Sequence, residues 1–363
     1  MEAFVKDLVI YLYEKGDFDI TLICSPDKQF SKALPDYLHF VPIEMNRGFD
    51  LKGVISIFTI TRFLKRNGID YIQYSTPNAA LYASIAATIA KIPVRNYHLM
   101  GFRYLGASGL MRVVLKKLEQ LTCKLSTQIE CVSRSNLELG ITEGIFDRDK
   151  VDVIWNGSSA GIDCSKFNLT QRIQLREKAR KKLGYDTNNI VFCFAGRITR
   201  DKGINELFEA FTETKNSAYR LLMLGSEEGV ETLDQDLLTK ARNDNRIVFH
   251  PFVSDIVPFY AAIDILVLPS YREGFGNIII EAEAMGVPVI VTNIPGPIDA
   301  MIPNVTGLTV RKKDSKELLF AMEKLGTDRE LRTKMGAAGA DFVQKSFDQK
   351  KLFEKVLQKR NTI

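Results

Sequence analysis

Short apolar runs rich in β-branched residues alternate with longer segments of helical period along most of this sequence. In the first half of the chain these runs predict strands at residues 19–24, 39–42, 71–74, 94–97, 128–132 and 151–155. In the second half they predict strands at residues 190–194, 221–224, 247–249, 263–268, 288–292 and 307–310. Alternation of this kind is typical of parallel sheets with helices on both faces. The sequence therefore predicts an α/β fold made of two similar doubly wound domains.

A stretch of small, turn-forming residues separates the two halves. It covers residues 155–163, Trp-Asn-Gly-Ser-Ser-Ala-Gly-Ile-Asp, and precedes a charged helix at 171–183 that ends at Gly184. We predict an N-terminal domain at 1–158, a C-terminal domain at 159–340, and a terminal helix at 341–363 that packs back on the first domain. In such folds the carboxyl ends of the strands can face one cleft, where ligands bind.

Composition narrows the class of protein. At 363 residues, with 45% hydrophobic and 26% charged residues, the chain is typical of a soluble globular protein with two domains. The net charge of +5 is too small to indicate nucleic-acid binding. The 5 cysteines form no Cys-x-x-Cys pair, and no apolar run approaches the roughly 18 residues of a membrane span. The first residues lack the basic-then-apolar order of a signal peptide, so we expect a cytoplasmic protein.

The segment from Tyr271 to Pro288 carries the most chemistry. It reads Tyr-Arg-Glu-Gly-Phe-Gly-Asn-Ile-Ile-Ile-Glu-Ala-Glu-Ala-Met-Gly-Val-Pro, and it places Glu273 and Glu281 on either side of a glycine turn that opens an apolar helix. A charge within an apolar helix is costly unless a partner satisfies it, and a helix start presents unpaired N–H groups to anions. These features suit a ligand with both hydroxyls and phosphates, such as a sugar nucleotide. The alternative is a buried helix whose glutamates are capped locally.

Basic residues follow the predicted strand at 190–194. The sequence Phe-Ala-Gly-Arg-Ile-Thr-Arg-Asp-Lys-Gly at 194–203 places Arg197, Arg200 and Lys202 between a strand end and a helix start. Arginine offers a fork of donors to phosphate oxygens, and lysine offers a mobile point charge. A solvated basic loop is the alternative interpretation.

Further strand ends run into loops near these motifs. In a doubly wound sheet, Gly225, Phe252 and Val253 would neighbour the basic loop and could supply backbone contacts to a base. In the first half, His98 precedes a glycine-bearing loop, although a lone histidine is usually structural.

A basic amphipathic helix at 110–124 completes the set of candidate features. Arg112, Lys116 and Lys117 lie on it, and Arg103 precedes it. Such a face can bind anionic lipid headgroups or a lipid diphosphate. A core helix with a solvated basic side is the alternative.

Together these motifs resemble a known family. The Glu-Gly-Phe-Gly-Asn…Glu block resembles the Glu-x7-Glu signature of retaining GT-B glycosyltransferases of the family-4 type. The loop from Gly196 to Gly203 is similar to their diphosphate-binding loop, and the turn at 156–163 is similar to their interdomain turn. The Asn-Gly-Ser-Ser-x-Gly-Ile-Asp and Gly-x-Arg-Tyr-Leu-Gly-x-Ser-Gly forms look like those of bacterial capsule, exopolysaccharide and O-antigen transferases. The resemblance covers most of the chain and implies two Rossmann-like domains facing a central cleft.

The resemblance also implies roles for individual residues. Arg197 and Lys202 would hold the donor diphosphate, Glu273 would contact the transferred sugar, and Glu281 would bind the ribose hydroxyls. The other donor-binding residues that it implies are Gly196, Gly274, Phe275, Gly276 and Asn277. It implies neither a metal nor a cofactor. His98 is a further catalytic candidate, although many relatives place a histidine at the position of Met100.

Family members usually begin with a strand and a glycine-bearing loop. This sequence opens instead in what resembles the following helix, at residues 3–15, so we expect the N-terminal domain to lack its first strand.

The motifs and the resemblance together imply a transferase, retaining as in that family, that moves a hexose or N-acetylhexosamine from a nucleoside-diphosphate sugar, with UDP as the first choice. The expected acceptor is a polyprenyl-diphosphate-linked glycan in surface polysaccharide synthesis, with peripheral binding to the inner face of the plasma membrane. One alternative is a GT-B sugar-nucleotide epimerase or hydrolase. The other is a non-catalytic donor-binding subunit.

Overall fold

The chain folds into two α/β units, seen in a computed structural model that describes residues 2–45 and 51–362. Unit 1 comprises Met1–Ala160 together with Gln349–Ile363, and unit 2 comprises Gly161–Asp348. The first boundary lies two residues beyond the predicted one. The chain returns to unit 1 at Gln349, not at residue 341.

Fourteen α-helices lie in the described residues. Those of unit 1 before the boundary are α1 Glu2–Gly16, α2 Lys28–Ala33, α3 Leu51–Arg66, α4 Pro77–Ala90, α5 Gly109–Leu125 and α6 Arg134–Thr142. Unit 2 contains α7 Leu169–Leu183, α8 Ile204–Glu213, α9 Gln235–Asn243, α10 Val257–Ala262, α11 Asn277–Ala284, α12 Ser315–Thr327 and α13 Arg329–Ser346. The last helix, α14 Gln349–Arg360, belongs to unit 1.

The twelve predicted strands are all present, with ends that shift by up to three residues. Unit 1 contains β1 Thr21–Cys24, β2 His39–Pro42, β3 Tyr71–Tyr74, β4 Val94–Leu99, β5 Gln128–Cys131 and β6 Val151–Asp152. Unit 2 contains β7 Ile190–Ala195, β8 Tyr219–Leu224, β9 Ile247–His250, β10 Ile265–Leu268, β11 Val289–Thr292 and β12 Gly307–Val310. Every pair of adjacent strands is parallel, which confirms the predicted α/β fold class.

The sheet of unit 2 has six strands in the order β12-β11-β10-β7-β8-β9. The first strand of the unit, β7, is therefore central, and the chain builds outward from it in both directions. Strand β7 lies beside β10 in register Ile265 with Phe192, so the strand order reverses between these two strands. Ligands of open α/β sheets bind at the carboxyl ends of strands at such a reversal. The loops after β7 and β10 are therefore the expected ligand-binding region of unit 2.

Unit 1 contains a four-stranded sheet, β3-β4-β5-β6, and a separate two-stranded sheet, β1-β2. Buried aromatic residues from β4 and the loop after it fill the core beside α5, among them Tyr97, Phe102 and Tyr104. A second core joins α3 and α4, with Ile60 and Tyr82 at its centre. Among the described residues the first element is helix α1, so the segment before β1 is helical, as predicted for 3–15.

Local signals in the sequence explain where the helices of unit 2 begin and end. Helix α7 begins where the Asn168 side chain accepts a hydrogen bond from the amide of Gln171, and it ends at Gly184 with φ of 74°. Helix α13 extends to Ser346 and packs closely on α11, where a Cβ at Gly339 would lie 3.1 Å from the Cβ of Glu283. Val343 and Phe347 are also buried, and the Phe347 ring packs on Phe275 of unit 2, so the chain stays in this unit as far as Asp348.

Within the described part of the chain, none of the helices combines the length and the apolar character that crossing a membrane requires.

Candidate active site

The loops that follow β7 and β10 meet backbone to backbone at the carboxyl end of the unit 2 sheet. The amide of Tyr271 donates to the Asp201 carbonyl at 2.8 Å. A Cβ added to Gly203 would lie 2.0 Å from the Pro269 oxygen, and Gly203 has a φ of 71° that favours glycine. The close approach therefore depends on glycine at this position. It brings the predicted basic loop against the predicted glutamate turn.

Two predicted site residues form an ion pair across this junction. The Lys202 ammonium lies 2.5 Å from Oε1 of Glu273, and the two side chains are only 18% and 14% exposed. An ion pair that is largely shielded from solvent holds both groups in place more firmly than an exposed one. The structure thus brings together the residue predicted to hold a phosphate and the residue predicted to contact a sugar, which are 71 residues apart in sequence.

A second ion pair reinforces the same junction. Arg272 donates to Asp201 at 2.8 Å, and the Thr199 hydroxyl also donates to this carboxylate. Burial alone would raise the pKa of Asp201, but the hydrogen bond from Thr199 and the charge of Arg272 outweigh it and lower the pKa. Asp201 is therefore an ionised group that fixes Arg272.

The glycine turn before α11 is packed from the side by the loop after β11. Gly276 precedes the helix with φ of 90°, and the Phe275 side chain is buried against Phe347. A Cβ at Gly296 would lie 2.9 Å from the Gly274 oxygen, so two backbones again approach closely. Asn277 is the first helical residue. Gly274, Phe275 and Gly276 thus form a turn between Glu273 and the start of α11 at Asn277, at the position of the predicted glycine turn.

Glu281 also lies on α11, and its carboxylate faces α10. The hydroxyl of Tyr260 donates to its Oε2 at 2.9 Å, and Tyr260 is fully buried. Burial raises the pKa of Glu281, while the Tyr260 hydrogen bond and the charge of Lys166 oppose that rise. A hydrogen bond to the ionised form favours an acceptor carboxylate in this position.

The loops after β8 and β9 adjoin the loop after β7. A Cβ at Gly225 would lie 1.9 Å from the Gly196 oxygen, and the Gly225 amide donates to the His250 carbonyl at 2.9 Å. Phe252 follows with 77% of its surface exposed, and Val253 is half-buried. The residues for which contacts to a base are predicted, Gly225, Phe252 and Val253, therefore lie on neighbouring loops at the carboxyl edge of the sheet.

Arg197 is exposed, as is Arg200. Of the three basic residues of the loop, Lys202 is therefore the one shielded from solvent.

His98 lies within strand β4, because this strand continues two residues beyond the predicted end at Tyr97. Its side chain lines a cavity of unit 1 together with Glu130, Phe353 and Arg360. Burial lowers the pKa of His98, and its Nδ1 is buried without a hydrogen-bond partner among the described residues. The sequence interpretation placed His98 before a glycine-bearing loop, whereas the structure makes it a strand residue beneath α14.

The predicted basic residues on α5 and before it differ in how many contacts they already make within the protein. Lys116 pairs with Glu143 at 2.7 Å, and Arg112 lies 3.5 Å from the same carboxylate. Lys117 is exposed, and Arg103 donates to the Asn78 side chain at 3.0 Å.

Several residues that complete the site were not predicted. Asp201 and Arg272 stand within the motifs quoted from the sequence, so a search for charge partners there could have found them. Tyr260 has no local signal, because its partner lies 21 residues away on another helix.

Comparisons with known proteins show the family of the chain. Residues 1–159 match Glycosyltransferase Family 4, and residues 176–342 match Glycosyl transferases group 1. The capsular polysaccharide biosynthesis glycosyltransferase CapM of Staphylococcus aureus is 33% identical over 358 residues, which cover 97% of this chain and 92% of CapM.

A second relative is named for its reaction. The N,N'-diacetylbacillosaminyl-diphospho-undecaprenol alpha-1,3-N-acetylgalactosaminyltransferase of Campylobacter jejuni is 28% identical, over 89% of this chain and 86% of that protein.

Among solved structures, HepE of Anabaena in complex with UDP and glucose superposes with a TM-score of 0.81. It is 19% identical, and the match covers 100% of this chain and 97% of HepE. This likeness confirms the predicted two-domain GT-B fold.

Proposed function

Because this chain belongs to the glycosyltransferases of group 1 and family 4 and is a hexosyltransferase, we propose that it uses a UDP-linked hexose or N-acetylhexosamine as donor. The proposed acceptor is a polyprenyl-diphosphate-linked glycan of a surface polysaccharide, and the proposed outcome is retention of the anomeric configuration. The Lys202–Glu273 ion pair carries the proposal, since it joins the two motif loops at the strand-order reversal of unit 2.

The proposed mechanism follows from where charge develops. Departure of the sugar leaves negative charge on the donor diphosphate, and preorganised cations stabilise that charge most in the transition state. We assign this role to Lys202 and Arg197, and we assign contacts with the transferred sugar to Glu273 and the Gly274–Gly276 turn. Glu273 is held by Lys202 and is not assigned the role of a glycosidase nucleophile. In this scheme the acceptor attacks from the front face and a donor phosphate oxygen takes its proton.

The choice of donor and acceptor is supported by the relatives. HepE was solved with UDP and glucose, and the Campylobacter jejuni relative is named for an N-acetylgalactosamine transfer to a diphospho-undecaprenol substrate. The extensive match with CapM supports a role in capsule-type polysaccharide synthesis.

The donor site is tested by calorimetric titration with UDP and by transfer from UDP-sugars to a polyprenyl-diphosphate glycan. Arg197→Ala and Glu281→Ala are each expected to reduce transfer by about a hundredfold or more, as removal of preorganised charge does in other enzymes. Arg329→Ala, which changes an exposed arginine at the start of α13, is the matched control and retains the wild-type rate. Unchanged rates in both site variants would refute the site.

The same assays separate the two alternatives. Release of free sugar or of an epimer without acceptor would indicate a hydrolase or an epimerase. Donor binding with no turnover on any lipid acceptor would indicate a non-catalytic subunit.

We also propose that transfer needs no bound metal, since Lys202 and Arg197 provide the positive charge for the leaving diphosphate. Chelation with EDTA should leave the rate unchanged. A loss of transfer that Mg²⁺ restores would contradict this proposal.

A membrane surface is proposed as the partner of unit 1. Helix α5 exposes Leu110, Met111 and Val113 beside Lys117, and α4, which packs against α5, also packs against α3. Helix α3 exposes further apolar residues, Val54, Ile55 and Phe58, each more than 60% accessible. Apolar side chains beside lysines suit the interface of an anionic bilayer.

Co-sedimentation with vesicles of phosphatidylglycerol and phosphatidylcholine tests this surface. Leu110→Asp is expected to weaken binding to the anionic vesicles. Ile173→Asp, at a 76% exposed apolar residue on α7 of unit 2, is the control and leaves binding unchanged. Equal binding by wild type and Leu110→Asp would overturn the proposal.

A further inference from the structure

Tyr260 is a buried phenol whose hydroxyl contacts a predicted ligand-binding carboxylate. It lies on α10, has no exposed surface, and donates to Oε2 of Glu281 at 2.9 Å. Its ring also lies near Phe167, with ring centroids 6.3 Å apart. Buried tyrosines usually find a hydrogen-bond partner, so the contact alone does not separate packing from function.

The contact with Tyr260 also affects the protonation of Glu281. Glu281 projects from α11, an apolar helix, where burial favours the neutral acid and so raises its pKa. A neutral carboxyl group would present a donor hydroxyl, whereas an ionised one presents only acceptors. The Tyr260 hydrogen bond and the Lys166 charge both favour the ionised form. Lys166 also pairs with Asp255 at 3.6 Å, and the two side chains are 49% and 62% exposed.

The contact also makes the two oxygens of the Glu281 carboxylate different from each other. Tyr260 donates to Oε2, which leaves Oε1 to accept from a ligand, and because the Tyr260 ring is fully buried the bond restrains the orientation of the carboxylate. A ribose carries two adjacent hydroxyl donors, and a site that hydrogen-bonds a substrate hydroxyl discriminates strongly against the analogue that lacks it.

We propose that Tyr260 is a positioning residue that holds Glu281 for the ribose hydroxyls, and thereby sets the preference of this site for ribonucleoside over deoxyribonucleoside diphosphates. This inference rests on the proposed donor site of unit 2 and adds to it a residue and a selectivity. A purely structural tyrosine would stabilise the fold without affecting the ratio of the two affinities.

The test measures the dissociation constants of UDP and of 2′-deoxy-UDP by calorimetry on the full chain. The wild type should bind UDP at least about tenfold more tightly, as expected for a hydrogen bond to a charged group. Tyr260→Phe should reduce this ratio about threefold or more toward unity, since Glu281 is no longer held in its ionised, oriented form. Tyr219→Phe, at a tyrosine of β8 that is 1% exposed, is the matched control and keeps the wild-type ratio.

Circular dichroism establishes that each variant is folded before titration. Tyr260→Leu removes the hydroxyl by a different substitution and should give the same loss of ratio, so whichever of the two variants folds decides the question. A wild-type ratio in a folded Tyr260 variant overturns the inference and leaves the proposed function standing. Wild-type protein that binds UDP without preferring it to 2′-deoxy-UDP also overturns the inference alone. Wild-type protein that fails to bind UDP overturns both.

Discussion

Two glutamates on one helix show how surroundings decide what a residue does. Glu281 and Glu283 lie two positions apart on α11, yet Glu281 meets Tyr260 and remains partly accessible, whereas Glu283 is fully buried. Burial raises the pKa of Glu283 well above its usual range, and the Thr306 hydroxyl opposes only part of that rise. Glu283 packs where α11 contacts α13, and a Cβ added to Gly339 would lie 3.1 Å from the Cβ of Glu283.

Glu283→Gln is expected to stabilise the protein at neutral and alkaline pH. An acid whose pKa is raised by folding ionises first in the unfolded chain, so its effect on stability is absent below the unfolded pKa of about 4.3 and becomes unfavourable as the pH rises above it. Glutamine removes that penalty, which is about 1.4 kcal/mol for each unit by which the pKa is raised.

Urea unfolding near pH 4 and near pH 8 checks this prediction. The variant should match the wild type at the lower pH and exceed it at the higher. Glu323→Gln, on the exposed side of α12, serves as the control with no such difference. A variant less stable than wild type near pH 8 would contradict the prediction.

At the scale of elements, glycines permit the contacts between loops that assemble the site. Helix α8 begins after Gly203, which adopts a left-handed conformation and lies against Pro269 of the loop after β10. Gly184 ends α7 in a similar conformation, with φ of 74°, but a Cβ there would meet no atom within 4 Å. Both positions require a positive φ, but only Gly184 has space for an added Cβ.

Gly203→Ala is expected to cost much more stability than Gly184→Ala. Both substitutions place a Cβ in the left-handed region, at about 1–2 kcal/mol. Gly203→Ala adds a clash with the Pro269 backbone, at about 1–3 kcal/mol, and it should also separate Lys202 from Glu273. Thermal unfolding and UDP titration of both variants measure the difference. Equal loss of stability in the two variants would show that the close approach to Pro269 is not needed.

At the scale of the whole molecule, the end of the chain is attached to the unit that holds its beginning. Helix α14 carries Arg360, whose guanidinium donates to both oxygens of Glu130 on β5 at 2.6 Å. The side chains are 7% and 2% exposed, and Arg360 also reaches Gln73 of β3 at 2.9 Å. Burial alone would raise the pKa of Glu130, but hydrogen bonds and charge from Arg360 outweigh it and lower the pKa to about 2.

Arg360→Gln should destabilise unit 1 by up to about 3–5 kcal/mol, because it removes the guanidinium that contacts both oxygens of a buried carboxylate and, among the described ion pairs, leaves only the Lys359 ammonium, 3.3 Å from Oε1. In the wild type, the depressed pKa of Glu130 contributes stability that is complete above the unfolded pKa of about 4.3 and is lost as the pH falls toward the folded value. The variant should lose this acid-dependent contribution, and its stability should change less between those pH values.

Denaturant unfolding across this acid range, followed by circular dichroism, measures both effects. Lys355→Gln is the control, because Lys355 is an exposed residue of the same helix and its ammonium contacts only Gln358 among the described hydrogen bonds. Wild-type stability in Arg360→Gln would show that α14 is held without the Arg360–Glu130 pair, by its apolar contacts and by the Lys359 ion pairs with Glu130 and Asp152.

The sequence by itself determined the elements and the loops that carry chemistry. All twelve strands, the end of α7 at Gly184 and the glycine turn before α11 follow from period, turn residues and capping, which act over a few residues. The motif at 273–281 and the basic loop at 196–203 also indicated the family, because their residue types and spacing are local properties. The individual roles assigned to these residues stay predictions.

Only the tertiary structure decided which of these groups meet. The partners of the Lys202–Glu273 and Arg360–Glu130 ion pairs are 71 and 230 residues apart, and Tyr260 reaches Glu281 from another helix. On the basic face of α5, Lys116 forms an ion pair with Glu143. Strand β4 extends two residues beyond its predicted end, which places His98 within the strand. Local patterns encode period and turns, whereas these contacts depend on strand order and helix packing, which arise when distant segments share one core.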